Sequence, residues 1–102
     1  MRIDLSRPVE WEGVAYDHLD LDFERFTGSD LQAIERDLRK SGVRDILAPE
    51  TDSRYLVALA ARAARVDVEL LAALPARDYT RVKMEAQGFL LGSDSEPSPD
   101  AS

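Results

Sequence analysis

The chain has 102 residues, with 44% hydrophobic and 32% charged residues, no cysteine and a net charge of −7. This length fits one globular domain, and the lack of cysteine excludes disulfides and thiol catalysis and is typical of a reducing cytosol. The acidic balance argues against nucleic acid as a direct partner, because phosphate binding needs clustered lysine and arginine.

The first 24 residues alternate apolar and polar side chains, which is the pattern of half-buried β-strands. The alternation begins at Ile3, and after a turn at Glu12 and Gly13 it returns as far as Phe23. Pro8 cannot donate to a ladder, so we expect the first strand to be an edge strand or to be bulged at that point. The pattern predicts an antiparallel β-hairpin with one face on the core and one acidic face.

The segment FTGSDLQAIERDLRKSG predicts the first helix. Ser29 is the expected N-cap with Gln32 as its capping-box partner, and Gly42 is the expected residue after the helix C-terminus. One apolar stripe at helical spacing would face the core; its members are Leu31, Ile34 and Leu38.

Three more helices are predicted in the second half of the chain. One begins at Asp52 or Ser53, a short one follows Asp67, and the last spans about Ala76 to Leu91. The longest strictly apolar run, YLVALAA, is far shorter than the ~20 residues that a membrane span needs, and the N-terminus lacks a run of signal-peptide length. We therefore expect a soluble cytoplasmic protein without membrane contact.

The last residues, GSDSEPSPDAS, contain no large apolar side chain, two prolines and three acids. Such a segment cannot bury enough surface to offset the entropy of ordering. The sequence thus predicts a single α+β domain over residues 1–91, in which an N-terminal antiparallel β-hairpin precedes about four α-helices in a small bundle. Residues 92–102 are predicted to be a disordered acidic tail.

The sequence contains little evidence for a catalytic site or a metal site. His18, Asp20 and Asp22 are possible metal ligands, but alternate strand positions spread them over roughly 13 Å, too far for one ion. The carboxylates fit a solvated acidic face better than acid–base catalysis, which needs a dry cleft. The five glycines are scattered and form no phosphate loop. We therefore expect no enzyme activity, no cofactor and no metal.

The most apolar stretch is RYLVALAARAARVDVELLAALPARD, residues 54–78, and its first helix has two different faces. In helical projection one side carries Leu56, Leu59, Ala60, Ala63 and Val66. Two interpretations stay open for the other side: its arginines are solvated or paired with acidic residues, or its small surface admits a partner helix that the arginines orient. The second interpretation predicts four partner-binding residues: Arg54, Ala58, Arg62 and Arg65.

The order of motifs resembles a known family. LSRPVEWEGVAYDHLDL is similar to an L-x-x-P-x-x-x-x-G-x-x-Y-x-x-L-x-L hairpin opening, and FTGSDLQAIE is similar to a T-G-x-D-L helix start. LPARDY after LAARAARV is the most specific piece. Over residues 5–93 the chain resembles the small tail assembly chaperones of long-tailed phages and prophages, including Mu-like and P2-like phages.

The resemblance implies a non-enzymatic protein that binds the tape measure protein. Such chaperones keep the tape measure soluble while tail tube protein, a second candidate partner, polymerises around it, and they leave the finished virion. In many of these phages a frameshift makes a longer product, which only the nucleotide sequence could reveal. The family fixes no partner-contact residues, so the four named above rest on the helix argument alone.

Other classes of protein stay in competition. A structural tail completion or connector protein would remain in purified virions, whereas a chaperone would be absent. An acidic mimic of nucleic acid would need carboxylates ranged at phosphate-like spacing, and the hairpin offers few. An exposed edge strand after Pro8 could pair with a second copy of the chain, so a homo-oligomer stays an alternative.

Overall fold

A computed structural model of the chain describes residues 1–92. The antiparallel hairpin and the four helices predicted from the sequence are confirmed. The predicted disordered tail lies outside the described residues, apart from Gly92. The elements follow in the order β1 (Arg2–Trp11), β2 (Val14–Asp20), α1 (Gly28–Lys40), a 3-10 turn (Pro49–Thr51), α2 (Ser53–Ala64), α3 (Val68–Ala72) and α4 (Ala76–Leu91).

The hairpin closes through a two-residue turn. Glu12 and Gly13 have φ angles of 49° and 83°, the left-handed pair that a type I′ turn requires and that matches the twist of the strands. The alternation had predicted strand as far as Phe23, but β2 ends at Asp20. Leu21 and Phe23 are still buried, because the chain beyond β2 turns along the core.

The register of the hairpin shifts in the middle of β1. Asp4 lies opposite His18, whereas Val9 lies opposite Tyr16. Residues 5–8 of β1 therefore face the single residue 17 of β2. This irregularity includes Pro8, where an edge strand or a bulge was predicted, and it bends β1 away from a regular ladder.

Helix α2 lies at the centre of the core, and seven of its twelve residues are buried. Alanines at three of these positions let neighbouring elements approach its axis closely. Helix α4 packs against α2 with Val82 and Ala86 buried. The buried residues of α2 are Tyr55, Leu56, Val57, Leu59, Ala60, Ala61 and Ala63.

The start of α1 differs from the prediction. Thr27 is the N-cap, and its backbone N–H donates to the Asp30 carboxylate at 2.8 Å. Ser29 and Gln32, the predicted capping pair, therefore lie within the helix. An acidic residue three positions after the N-cap can reach back to its free N–H as glutamate does in a capping box.

The ends of α1 and α2 share one geometry. Gly42 has a φ of 103°, and the next N–H donates to the Leu38 carbonyl at 3.0 Å, which confirms the predicted glycine ending. Arg65 takes the equivalent place after α2 with a φ of 59°, and the N–H of Val66 donates to the Ala61 carbonyl at 3.0 Å. The projection that treated Arg65 and Val66 as helical was thus wrong for both, since α2 ends at Ala64.

Two clusters attach the hairpin region to the helices. Phe23 stacks on Phe89 of α4 with ring centroids 5.0 Å apart, and Phe26 meets both rings edge-on. Near the turn, the half-buried side chain of Trp11 packs against the core. Its Nε1 is buried without a hydrogen-bond partner among residues 1–92. Over the same residues, no helix combines the length and apolarity needed to cross a bilayer.

Candidate partner-binding surface

A groove of about 430 Å³ lies between α1, the exposed side of α2 and the start of α3. Its presence follows from the short connection between α2 and α3, which turns the chain at Arg65 and places Val68 beside α1. Val68 is 46% exposed, so the fold leaves an apolar surface open here. The apolar lining consists of Ile34, Leu38, Ala58, Ala61, Val66 and Val68.

Charged side chains border this groove on both sides. Asp37 of α1 and Arg62 of α2 form an ion pair at its rim, with Arg62 Nη1 3.7 Å from Asp37 Oδ2. Asp67 and Glu69 add two carboxylates at the α3 side. The surface therefore joins an apolar floor to a mainly acidic rim with one arginine.

Two of the four predicted partner-binding residues line the groove. Ala58 is half-buried and forms part of the floor, where its methyl group leaves room that a larger side chain would occupy. Arg62 is exposed and belongs to the rim. Its backbone carbonyl accepts a hydrogen bond from Arg25 Nη2 at 2.8 Å, which fixes the helix at this point to the segment after β2.

Arg54 lies at the other end of α2, where it is held by two carboxylates. Its Nη2 and Nε donate to Asp52 at 2.8 and 3.0 Å, and its Nη1 lies 3.0 Å from Asp45 Oδ1. The guanidinium hydrogen bond lowers the pKa of Asp52. Arg54 thus ties the connector before α2 to the start of the helix and does not line the groove.

Arg65 also lies outside the groove lining, because it follows the end of α2 and turns the backbone. Its side chain is exposed, and its left-handed conformation is uncommon for a residue other than glycine. The predicted four-residue face is therefore divided: Ala58 and Arg62 share the groove, and the two outer arginines lie at opposite ends of the helix.

The groove contains residues that the helical projection did not identify. Val68 opens α3, and Asp37 comes from α1, so only the packing of three helices brings them beside Ala58. Only the folded chain reveals that Val68 is exposed, because a valine in an apolar stretch is ordinarily buried.

The acidic residues of β2 form a second polar cluster. His18 Nδ1 lies 2.7 Å from Asp17 Oδ1, and its Nε2 lies 3.4 Å from Asp20 Oδ2. Asp17, which was not among the possible metal ligands named from the sequence, is thus the closest neighbour of the imidazole. Contact with His18 lowers the pKa of Asp17. Among the described residues, no three acidic or histidine side chains are placed to hold a metal ion.

The comparison with protein families decides the identity of the chain. The family model described as "Phage tail assembly chaperone proteins, E, or 41 or 14" matches residues 2–91. The chain belongs to this family of phage tail assembly chaperones. No curated protein and no solved structure matches the chain.

Membership in the tail assembly chaperone family confirms the resemblance found in the sequence. The match covers the hairpin and all four helices, so it includes both the groove and the acidic hairpin. A chaperone family implies a non-enzymatic role in phage tail assembly. The groove is then of interest as a protein-binding surface, with no reacting group required.

Proposed function

We propose that this protein chaperones phage tail assembly by binding the tape measure protein through the groove between α1, α2 and α3. In this proposal Ala58 and Arg62 contact the partner in the groove, and Arg54 and Arg65 flank it at the ends of α2. The tail tube protein is a second candidate partner. The protein acts in the host-cell cytoplasm and leaves before the virion is complete.

The single observation that supports this proposal best is the open apolar floor beside Val68 in a chain of the chaperone family. An amphipathic helix buries its apolar stripe most easily in a groove between two helices. The alanines of α2 favour close approach, because the distance between helix axes depends on the side chains at the contact. The rim is mainly acidic, so it suits a helix whose polar face is mainly basic but carries an acidic residue that meets Arg62.

Co-expression tests the proposal directly. The full chain and the tape measure protein of the same phage or prophage genome are produced together in a bacterial host, and the soluble tape measure is quantified. We expect the soluble yield to rise several-fold over expression without the chaperone, with both proteins co-purifying. An unchanged yield with no co-purification would contradict the proposal.

A pair of matched substitutions tests the groove. Val68→Glu places a charge on the apolar floor at an exposed first-turn position that tolerates glutamate, so the fold should be retained. Met84→Glu makes a comparable change on the outer face of α4, where the methionine is 61% exposed. We expect Val68→Glu to abolish the gain in soluble tape measure and Met84→Glu to preserve it. If both changes reduce the soluble tape measure equally, the groove is not the binding surface.

The competing class, a structural tail protein, is tested on particles. Mass spectrometry of purified virions should find no stoichiometric amount of this chain, because a chaperone is released during assembly. Its presence in fixed proportion to the tail tube protein would favour a tail completion or connector role.

A further inference from the structure

Within residues 1–92, the rest of the fold covers the outer edge of β1 and leaves most of the outer edge of β2 open. The outer edge of β1 is covered by α4, which satisfies main-chain groups of β1 with its own side chains. The Ser6 N–H donates to the Asp78 carboxylate at 3.0 Å, and the Asp4 carbonyl accepts a hydrogen bond from Arg81 Nη1 at 3.5 Å. The shift in register around Pro8 blocks this edge further, because a bulged strand cannot continue a regular ladder.

The outer edge of β2 has no such cover along most of its length. β2 has a single strand neighbour in the sheet of the described residues. Just beyond the strand, the Asp22 N–H donates to the Ala63 carbonyl at 3.1 Å. At this position the chain therefore pairs with the main chain of α2. From there towards the turn the edge stays open.

A groove of about 240 Å³ follows this open edge. It is lined by every residue from 15 to 20 and by Ala64 and Val66 at the end of α2. Six strand residues span roughly 20 Å, which is the length over which an added strand could pair. Ala64 at the end of α2 and Val66 just after it provide an apolar wall on the far side of such a strand.

The charge of the edge indicates which strand it could accept. The side chains of Asp17 and Asp20 are 74% and 73% exposed, with His18 between them. Arg2 lies opposite Asp20 in the ladder, but its Nε is bound to Asp4 at 2.8 Å. The edge therefore carries two exposed carboxylates, and Arg2 opposite Asp20 already has an acidic partner.

A second copy of this strand is a poor occupant. Antiparallel pairing of two β2 edges would bring their aspartates towards one another, and like charges across a strand pair are destabilising. The carboxylates thus protect the edge from self-association, whereas they attract a strand of opposite charge.

We propose that the outer edge of β2 is a docking site for an extended segment of a partner protein that carries two basic residues, lysine or arginine, three positions apart and therefore on opposite faces of the strand, as Asp17 and Asp20 are. The segment adds a third strand to the sheet between β2 and the end of α2. Its main chain pairs with residues 15–20, and its basic side chains meet Asp17 and Asp20. This surface shares Val66 with the helix-binding groove but otherwise consists of different residues, and it takes a partner in a different conformation.

A synthetic peptide tests the inference without the tape measure protein. The probe is an eight-residue acetylated and amidated peptide, TVKVTKVT, whose two lysines are three positions apart, titrated into the full chain and followed by NMR. We expect saturable shifts confined to residues 14–22 and 63–66, inter-strand contacts between the peptide and β2, and slower hydrogen exchange of β2 amides. No binding at millimolar peptide overturns the inference.

Two control peptides separate strand addition from charge attraction. The first carries N-methyl groups at alternate residues, which keep the charge and remove the main-chain donors. The second has glutamate in place of each lysine. Both should bind at least about ten-fold more weakly, because main-chain pairing and opposite charge are both required. If the methylated peptide binds as tightly as the parent, the site is not a strand-docking edge.

Variants of the chain complete the test. Asp17→Lys combined with Asp20→Lys should weaken the lysine peptide at least about ten-fold, while Glu10→Lys combined with Glu24→Lys gives the same charge change elsewhere and should leave affinity within about three-fold. If the lysine variant fails to fold, the double variant Asp17→Asn with Asp20→Asn replaces it in the binding test. Equal loss in both pairs, or a chain that dimerises through β2, overturns the inference.

Val68→Glu should bind the peptide normally, so failure of the groove and failure of the edge are distinguishable.

Discussion

The buried carboxylate of Asp78 in α4 accepts two hydrogen bonds from Ser6 in β1, one from its backbone N–H at 3.0 Å and one from its hydroxyl at 2.8 Å. The two residues are 72 positions apart in the chain. Asp78 is 3% exposed, and it belongs to the LPARDY motif that supported the family resemblance. Its partner lies where the register of β1 shifts, so one side chain joins the irregular strand to the last helix.

Replacement of this carboxylate should therefore destabilise the fold. We expect Asp78→Ala to lower the free energy of unfolding by about 1–3 kcal/mol, because the Ser6 donors would be left without an acceptor. Ser6→Ala removes only the hydroxyl bond and should cost about 1 kcal/mol or less. Urea denaturation of the two variants measures the difference, and equal losses would contradict a role for the backbone bond.

A leucine of the central helix α2 and a leucine of the connector before it provide a matched pair of substitutions. Leu59 is 0% exposed in the core and Leu47 is 94% exposed in the connector before α2. Leu59→Ala should cost about 2–5 kcal/mol through lost burial and a residual cavity, whereas Leu47→Ala should stay within about 0.5 kcal/mol of wild type. Thermal unfolding followed by circular dichroism distinguishes the two, and a large loss for Leu47→Ala would show that the connector is packed.

Arg65 predicts a stabilising substitution. Its φ of 59° places a residue with a Cβ atom in the left-handed region, which glycine adopts without this steric cost. Arg65→Gly should raise stability by about 1 kcal/mol, and Arg65→Ala should leave it nearly unchanged because the strain persists. A loss of stability in the glycine variant would mean that the guanidinium contributes more than the strain costs.

The Asp52–Arg54 pair predicts a dependence on pH. Hydrogen bonding by Arg54 holds the pKa of Asp52 below its ordinary value, so the folded state binds a proton less readily than the unfolded chain. The resulting stabilisation is present above the unfolded pKa of about 3.9 and is lost as the pH falls through the folded value. Asp52→Asn keeps a good N-cap and should be less stable than wild type at pH 7. Melting temperatures from pH 7 to 2 should converge below about pH 4; a constant difference would contradict this assignment.

A double charge reversal tests the arginines of the candidate surface. Arg62→Glu with Arg65→Glu should weaken the complex with the tape measure protein several-fold without unfolding the chain, because both side chains are exposed. Arg44→Glu with Arg77→Glu makes the same charge change at exposed positions outside the groove and should bind normally. A double variant that melts far below wild type while still binding would show that Arg62 and Arg65 are structural.

The sequence predicted the parts of the fold that depend on local patterns. Alternation identified both strands, Pro8 marked the irregular part of β1, and Gly42 marked the end of α1. The cap of α1 was assigned to Ser29, because Gln32 stands at capping-box spacing from it, whereas the folded backbone places the cap at Thr27 with Asp30 as its partner.

Long-range pairings were beyond sequence reasoning for a physical reason. Asp78 looked like one more surface acid in a helix's first turn, and only the folded chain brings Ser6 to it. The pairing of Arg54 with Asp45 likewise depends on an irregular connector that has no periodicity to interpret. The groove was predicted in part, since Ala58 and Arg62 share a helix face, while Val68 and Asp37 reach it from other helices.

The half-buried indole of Trp11, next to the hairpin turn, makes the chain its own fluorescent reporter. It is the only tryptophan in the sequence, so emission follows the end of the hairpin, whereas far-ultraviolet dichroism follows the helices. Two coincident denaturation curves would mean that the hairpin and the helices melt together. An emission change at lower urea would reveal a hairpin that detaches first, and the same indole would respond to a ligand that binds beside the turn.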